Sequence, residues 1–257
     1  MQRAYRIGQI VPSSNTTMET EIPAMFRSRE AIGPERFTFH SSRMRMHKVT
    51  PEELVKMNKE GVRCAAELSD ARVDVLSTAC LVAIMAMGHG YHRTVERELR
   101  TAVEQNGSTA KIATSAGALI EGLKAMGAKR IALLAPYTKP LTQLVVAYIE
   151  AEGITVSDHR CFEIADNLMV ADRDPMLLLD DAKRLDTSNV DVVVLSACVQ
   201  MRSLPAIERA EQLLGKPVTS TSVCTAWRML SALNLSTKIP ECGSLGSGAY
   251  TWVDNEA

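Results

Sequence analysis

Short apolar runs alternate along the chain with stretches in which apolar residues recur every three or four positions. The runs at residues 5–11, 36–40, 74–77, 111–114, 130–135, part of 154–164, 191–195 and 217–220 predict β-strands. The stretches at 51–71, 94–105, 116–126, 140–152, 175–185, 204–214 and 222–232 predict amphipathic helices, and a further helix is expected to begin at Thr16. Such alternation predicts a parallel sheet covered by helices. Eight strand–helix units also fit a closed barrel, and periodicity does not separate the two.

The chain also repeats itself. RIGQIVPSSNTTMETEIPAMF has the layout of RIALLAPYTKPLTQLVVAYIE: a strand, then Pro12 or Pro136, then small polar residues, then a helix. VDVLSTACLVA has its counterpart in VDVVVLSACVQM, and ATSAGALIEGL in TSTSVCTAWRML. The first two pairs lie about 120 residues apart, so each half reads as four strand–helix units. A duplicated half-barrel gives a similar repeat, so this step establishes duplication and not the fold.

In each half the third strand runs into a small-residue turn with a cysteine, Ser77-Thr78-Ala79-Cys80 or Ser196-Ala197-Cys198. That is the carboxyl edge of a parallel sheet, where open α/β folds bind ligands. A helix starting just after the cysteine would surround the sulfur with unpaired N–H groups and pull its pKa from about 8.5 towards neutrality. The recurrence therefore predicts Cys80 and Cys198 as a pair facing one pocket, suited to nucleophilic or acid–base work. A buried cysteine is more often a small hydrophobe, and that reading is taken for Cys64, Cys161, Cys224 and Cys242.

Composition narrows the classes. The chain has 257 residues, 46% of them hydrophobic, and a formal net charge of −1. This is enough apolar material for one large domain or two small ones. Nearly balanced charge gives no footprint for nucleic acid or an anionic membrane. Neither a signal-peptide pattern nor an apolar stretch of roughly 18 residues occurs, so no secretion and no membrane span are expected. Six scattered cysteines without CxxC spacing predict free thiols in a reducing cytoplasm and no structural zinc. His89 and His92, in GHGYHR, have no acidic or thiol partner to complete a metal set.

The opening IGQIVPSSNTTMETEIP, the CLVAIMAMG after the first cysteine and the LSACVQMRSLP around the second resemble the maleate cis–trans isomerases. These belong, with arylmalonate decarboxylase, to the aspartate/glutamate racemase superfamily. The resemblance covers nearly the whole chain. It implies an α/β fold of two pseudo-twofold-related domains, each with a four-stranded parallel sheet flanked by helices. The implied boundaries are 1–115 plus 223–257 for one domain and 116–222 for the other, with the active site between them. It implies no cofactor and no metal, a small dicarboxylate (maleate) as substrate, a homodimer or higher homo-oligomer, and a role in breakdown of pyridine compounds such as nicotinate.

By the same resemblance Cys80 is the nucleophile and Cys198 the proton donor and acceptor. Asn15, Tyr137 and Asn167 match the family's substrate-binding positions. Backbone N–H groups of Leu81, Val82 and Val199 are expected to bind substrate as well. Each residue has a plainer reading: Asn15 as a helix cap, Asn167 as a loop residue, Tyr137 as a plug with its hydroxyl in water. Ser13 and Ser14 share the first loop and either touch substrate or satisfy turn backbone, while His40 and Arg43 follow the second strand. Met44–Met46 and Ile84–Met87 read as packing or lid material. Two alternatives stand beside the isomerase: an amino-acid or hydantoin racemase using both thiols, and a non-catalytic metabolite-binding protein.

Overall fold

The computed structural model describes residues 3–252. Its first half runs β1 (Ala4–Pro12), α1 (Met18–Glu30), β2 (Arg36–Met44), α2 (Pro51–Asn58), α3 (Gly61–Asp70), β3 (Val75–Thr78), α4 (Leu81–Met85), α5 (Tyr91–Gln105), β4 (Lys111–Thr114) and α6 (Ser115–Ala125). The second runs β5 (Arg130–Ala135), α7 (Lys139–Ala151), β6 (Thr155–Cys161), α8 (Asn167–Asp172), α9 (Leu177–Ala182), β7 (Val192–Ser196), α10 (Ile207–Leu214), β8 (Val218–Ser220) and α11 (Thr221–Ala232).

The strands form two separate parallel sheets, ordered β2-β1-β3-β4 and β6-β5-β7-β8. Identical order in the two halves accounts for the sequence repeat and rules out one closed barrel. The strands flanked on both sides read as continuous apolar runs because helices cover both faces. VLST of β3 and VVVLS of β7 are buried throughout. Edge strand β6, by contrast, has no fully buried residue.

In each sheet the chain turns from one side to the other between the first and third strands of its half. The carboxyl ends of those two strands flank the crevice where such folds hold ligands. One hydrogen bond past the ladder repeats in both halves: Ala79 N–H donates to the Ile10 carbonyl, and Ala197 N–H to the Leu134 carbonyl, each at 2.9 Å. These bonds place Cys80 beside the loop after β1, and Cys198 beside the loop after β5. Side-chain caps repeat too. Thr114 accepts from Gly117 N–H at the head of α6, and Ser220 from Val223 N–H at the head of α11. Helices α6 and α11 then pack together across the pseudo-twofold, close enough that a Cβ on Gly122 would lie 2.8 Å from the Cys224 sulfur.

Several boundaries depart from the periodicity. The stretch 51–71 is two helices, because α3 starts afresh at Gly61, packed under Leu99 and Met44. The helix expected over 175–185 shortens to α9, and α8 forms where only loop composition was visible, capped by Asp166 on Leu168 N–H. Strand β2 extends to Met44, so His40 and Arg43 lie within it rather than after it. It can run that far because it pairs with β1 in register to Pro12.

Candidate active site

Pro12, Asn15, Met46, Val49, Cys80, Val82, Tyr137, Asn167, Cys198, Val199 and Gln200 line a cavity of about 20 Å³ between the two sheets. That is room for about one water. None of these residues carries a formal charge at neutral pH when the thiols are protonated. The wall consists of apolar surface, two thiols, one phenol and three amides. Larger hollows elsewhere, such as the 600 Å³ one bordered by Arg100 and Trp252, hold neither thiol of the pair.

Cys80 ends the turn after β3 in the left-handed region, with φ +76° and ψ 69°. A non-glycine residue there costs about 1–2 kcal/mol, so the surrounding fold holds the strain. The expected helix does follow, as the single turn of α4. Cys198 differs: residues 199–201 form a bend, and the next helical residues are a 3₁₀ turn at Leu204–Ala206 that leads into α10. The helix start presumed at Val199 is therefore absent. Instead the Cys198 sulfur receives the Tyr137 hydroxyl and the N–H groups of Gln200, at 3.3 Å, and Met201.

The expectation of near-neutral thiols is also corrected. Burial pushes the Cys80 thiol up to about 12, against the weaker opposing effect of Ala83 N–H. Burial likewise raises Cys198, although three donors oppose it. Losing water costs a thiolate more than a few peptide dipoles return. Both sulfurs are therefore protonated at neutral pH in this structure.

Tyr137 is 6% exposed and reaches both halves: its hydroxyl meets Cys198 and accepts from Val82 N–H. It is not a plug with a wet hydroxyl. Burial beside two sulfurs drives its pKa up, so it remains a neutral donor. Asn15 caps a helix and also lines the cavity. Its Oδ1 accepts from Thr17 and Met18 N–H, each at 2.9 Å, at the head of α1, which leaves the amide NH₂ as its group for the cavity. Asn167 opens α8 and donates from Nδ2 to Ser14 Oγ at 2.9 Å. Val82 and Val199 are on the wall, whereas Leu81 is fully buried and not among the lining residues.

Other polar residues near the loop serve structure. Ser13 Oγ exchanges hydrogen bonds with the backbone of Met46, and Arg43 donates to the Ser13 carbonyl and pairs with Glu19. His40 meets Thr38 in the same strand, and buried His92 meets the Tyr148 hydroxyl. Cys64, Cys224 and Cys242 are buried and Cys161 is half-buried, each away from the cavity wall. Met46 does line the cavity, with Val49 beside it on the β2–α2 connection. The sequence reading passed over Val49, Pro12 and Gln200. A lone amide within the apolar ACVQM run was the available signal for Gln200.

Known proteins match this arrangement closely. The arylmalonate decarboxylase family model matches residues 7–245. A maleate isomerase of Pseudomonas putida KT2440 is 60% identical over 250 residues, covering 97% of this chain and all of that protein. The maleate isomerase of Pseudomonas putida S16, solved as an alanine-for-cysteine variant with maleate, is 58% identical with a TM-score of 0.96, over 97% of this chain and all of the other. A serine-for-cysteine variant of Nocardia farcinica maleate cis–trans isomerase carrying a covalent succinylcysteine intermediate is 46% identical with a TM-score of 0.92, over 95% and 99% of the two chains. This chain, with its duplicated sheets and facing thiols, belongs to the maleate isomerase family, within the wider arylmalonate decarboxylase family.

Proposed function

We propose that this protein isomerises maleate to fumarate without a cofactor, through a succinyl adduct on Cys80. The observation that carries the reading is the pair of thiols on the wall of one narrow, uncharged cavity whose remaining polar groups are neutral donors. Such donors hold two carboxylates while leaving one of them free to swing, which a bidentate arginine clamp would resist.

The chemistry starts when the sulfur pair, sharing a single proton, meets the alkene. Cys80 thiolate adds to C2 as the Cys198 S–H delivers its proton to C3. The double bond is thereby converted into one C–S bond, one C–H bond and a C2–C3 single bond. Rotation about that bond separates the carboxylates and relieves their repulsion. Cys198 thiolate then removes a proton from C3, the C–S bond breaks, and fumarate leaves with the pair restored to its one-proton state. The NH₂ of Asn15, the Asn167 amide, the Tyr137 hydroxyl and the N–H groups of Val82 and Val199 are assigned to the carboxylates and to the enolate-like charge at addition; Leu81, which does not line the cavity, is left out of this set.

A narrow cavity of about 20 Å³ limits the water that can reach the adduct. Substrate admission requires the wall to move, and we assign that movement to Met46 and Val49 on the β2–α2 connection. We assign residues 1–115 with 223–257 to one domain and 116–222 to the other. Contacts of α11 with α1 and β4 favour its place in the first domain, while α6 touches α4, α5 and β4 of the first domain as well as α11; residues 1–2 and 253–257 lie outside the described ones. A reducing cytoplasm suits six free thiols, and a homo-oligomer is the expected assembly.

Incubation with maleate alone, followed by proton NMR, should show fumarate. Cys80→Ser should lose turnover, and Cys198→Ser should accumulate a protein adduct of one maleic acid mass on Cys80. Full activity in Cys80→Ser would end the assignment. Racemisation of an amino acid without maleate turnover would select a different enzyme.

A further inference from the structure

Gln200 lies two residues beyond Cys198 and is 2% exposed. Its side-chain amide is fully engaged, and every partner lies in another segment. Oε1 accepts from Thr16 N–H at 3.0 Å. Nε2 donates to the Ser14 carbonyl at 3.1 Å and to the Asn167 carbonyl at 2.8 Å. Its backbone joins the same junction: the carbonyl accepts from Thr17 Oγ1 at 2.7 Å, and the N–H donates to the Cys198 sulfur at 3.3 Å.

These partners flank the two asparagines of the site. Ser14 and Thr16 are the neighbours of Asn15, and the third partner is Asn167 itself. One rigid amide thus spans the loop after β1, the head of α8 and the bend that carries Cys198. Asn167 closes the same junction from the α8 side, through its own bond to Ser14 Oγ. A neutral amide is also the chemistry the junction demands, since two carbonyls need donors and one N–H needs an acceptor. Lysine or arginine would leave the Thr16 N–H unpaired, and a carboxylate would face two carbonyl oxygens.

We propose that Gln200 is a positioning residue: it holds the Asn15 and Asn167 arms in register with the Cys198 sulfur, so that both carboxylates and the proton donor are set by a single side chain. This rests on the isomerase reading for its kinetic effect, but the geometric coupling stands without it. Loss of the amide lets two segments drift relative to the sulfur, and a misplacement of about 1 Å costs on the order of 10²-fold in rate.

Gln200→Ala and Gln200→Glu test this, each read by kcat and KM for maleate, by thermal unfolding, and by iodoacetamide labelling of Cys198 followed by mass spectrometry. Gln200→Ala should lose about 10²-fold in kcat/KM and label at Cys198 about tenfold faster, as the bend opens locally. Gln200→Glu keeps the shape. It should be poor at alkaline pH and recover as the pH falls, because the protonated acid again donates to one carbonyl and accepts from Thr16. The parent enzyme should instead lose activity as the pH falls.

The proposal is overturned if folded Gln200→Ala keeps kcat/KM within about twofold and labels at the parent rate. It is also overturned if Gln200→Glu follows the parent pH profile, with activity lost only in step with unfolding. The labelling arm needs no maleate. Failure of the parent enzyme to convert maleate would therefore count against the isomerase reading and leave the Gln200 coupling decidable.

Discussion

At Cys80 the backbone and the sulfur make opposing demands. The left-handed turn favours glycine, but the proposed chemistry needs a thiol. Cys80→Gly should therefore unfold at higher urea than Cys80→Ala, by about 1 kcal/mol, with both inactive. Equal stabilities would show that the turn is not strained. The raised thiol pKa values have a sign that can be checked. Both groups are protonated below their folded values, so the reactive one-proton pair becomes more abundant as pH rises. The ratio kcat/KM should climb from about pH 6 to 9 without levelling. A flat profile over that range would mean that opening the cavity returns the sulfurs to water before reaction.

Helix α1 links the fold to the site through Asn15, whose Oδ1 caps it while its NH₂ is left for the cavity. Two substitutions separate these roles. Asn15→Asp keeps both cap bonds and favours the helix N-terminus, so stability should be kept while KM rises from repulsion of a dicarboxylate. Asn15→Ala should lose the cap as well, about 1 kcal/mol by denaturant titration. Equal effects of the two on KM and stability would refute the division. At the α6–α11 crossing Gly122 is required by closeness rather than by backbone angle. Gly122→Ala should cost about 1–3 kcal/mol, and Cys224→Ala in the same chain should recover part of it.

Over the whole molecule the two halves are tied at the α6–α11 crossing and by polar contacts on either side of it. The Gln200 junction lies on one. On the other, α5 meets α7 through His92 with Tyr148 and through Arg93 with Glu152, which Lys124 also pairs. Burial lowers His92 to about 4, so it stays neutral in the folded protein. A histidine whose folded pKa lies below its unfolded one stabilises above the unfolded value and loses that contribution as pH falls to the folded one. Stability should drop between about pH 6.5 and 4, by up to about 3 kcal/mol, and less in His92→Gln. Glu152, held near 2 chiefly by Arg93, should keep its tie until lower pH. An unchanged acid limb in His92→Gln would remove His92 from the account.

Period and repetition were sufficient for the strand–helix units, the duplication and the pair of cysteines, because apolar alternation and small-residue turns are local properties that a chain carries without folding. The family's asparagines and tyrosine were legible for the same reason: they sit in short contiguous motifs. Tertiary structure alone decided between two sheets and a barrel, since strand order is a matter of long-range pairing. It alone showed that Asn15 serves both cap and cavity, and that Gln200 bridges segments from both halves. It also reversed the expected thiol acidity. A helix start can be read from sequence, but the desolvation that outweighs it arises only when two halves close over the sulfurs. Cys80 and Cys198 were thus visible as a pair from the chain, and their protonation was set by the fold.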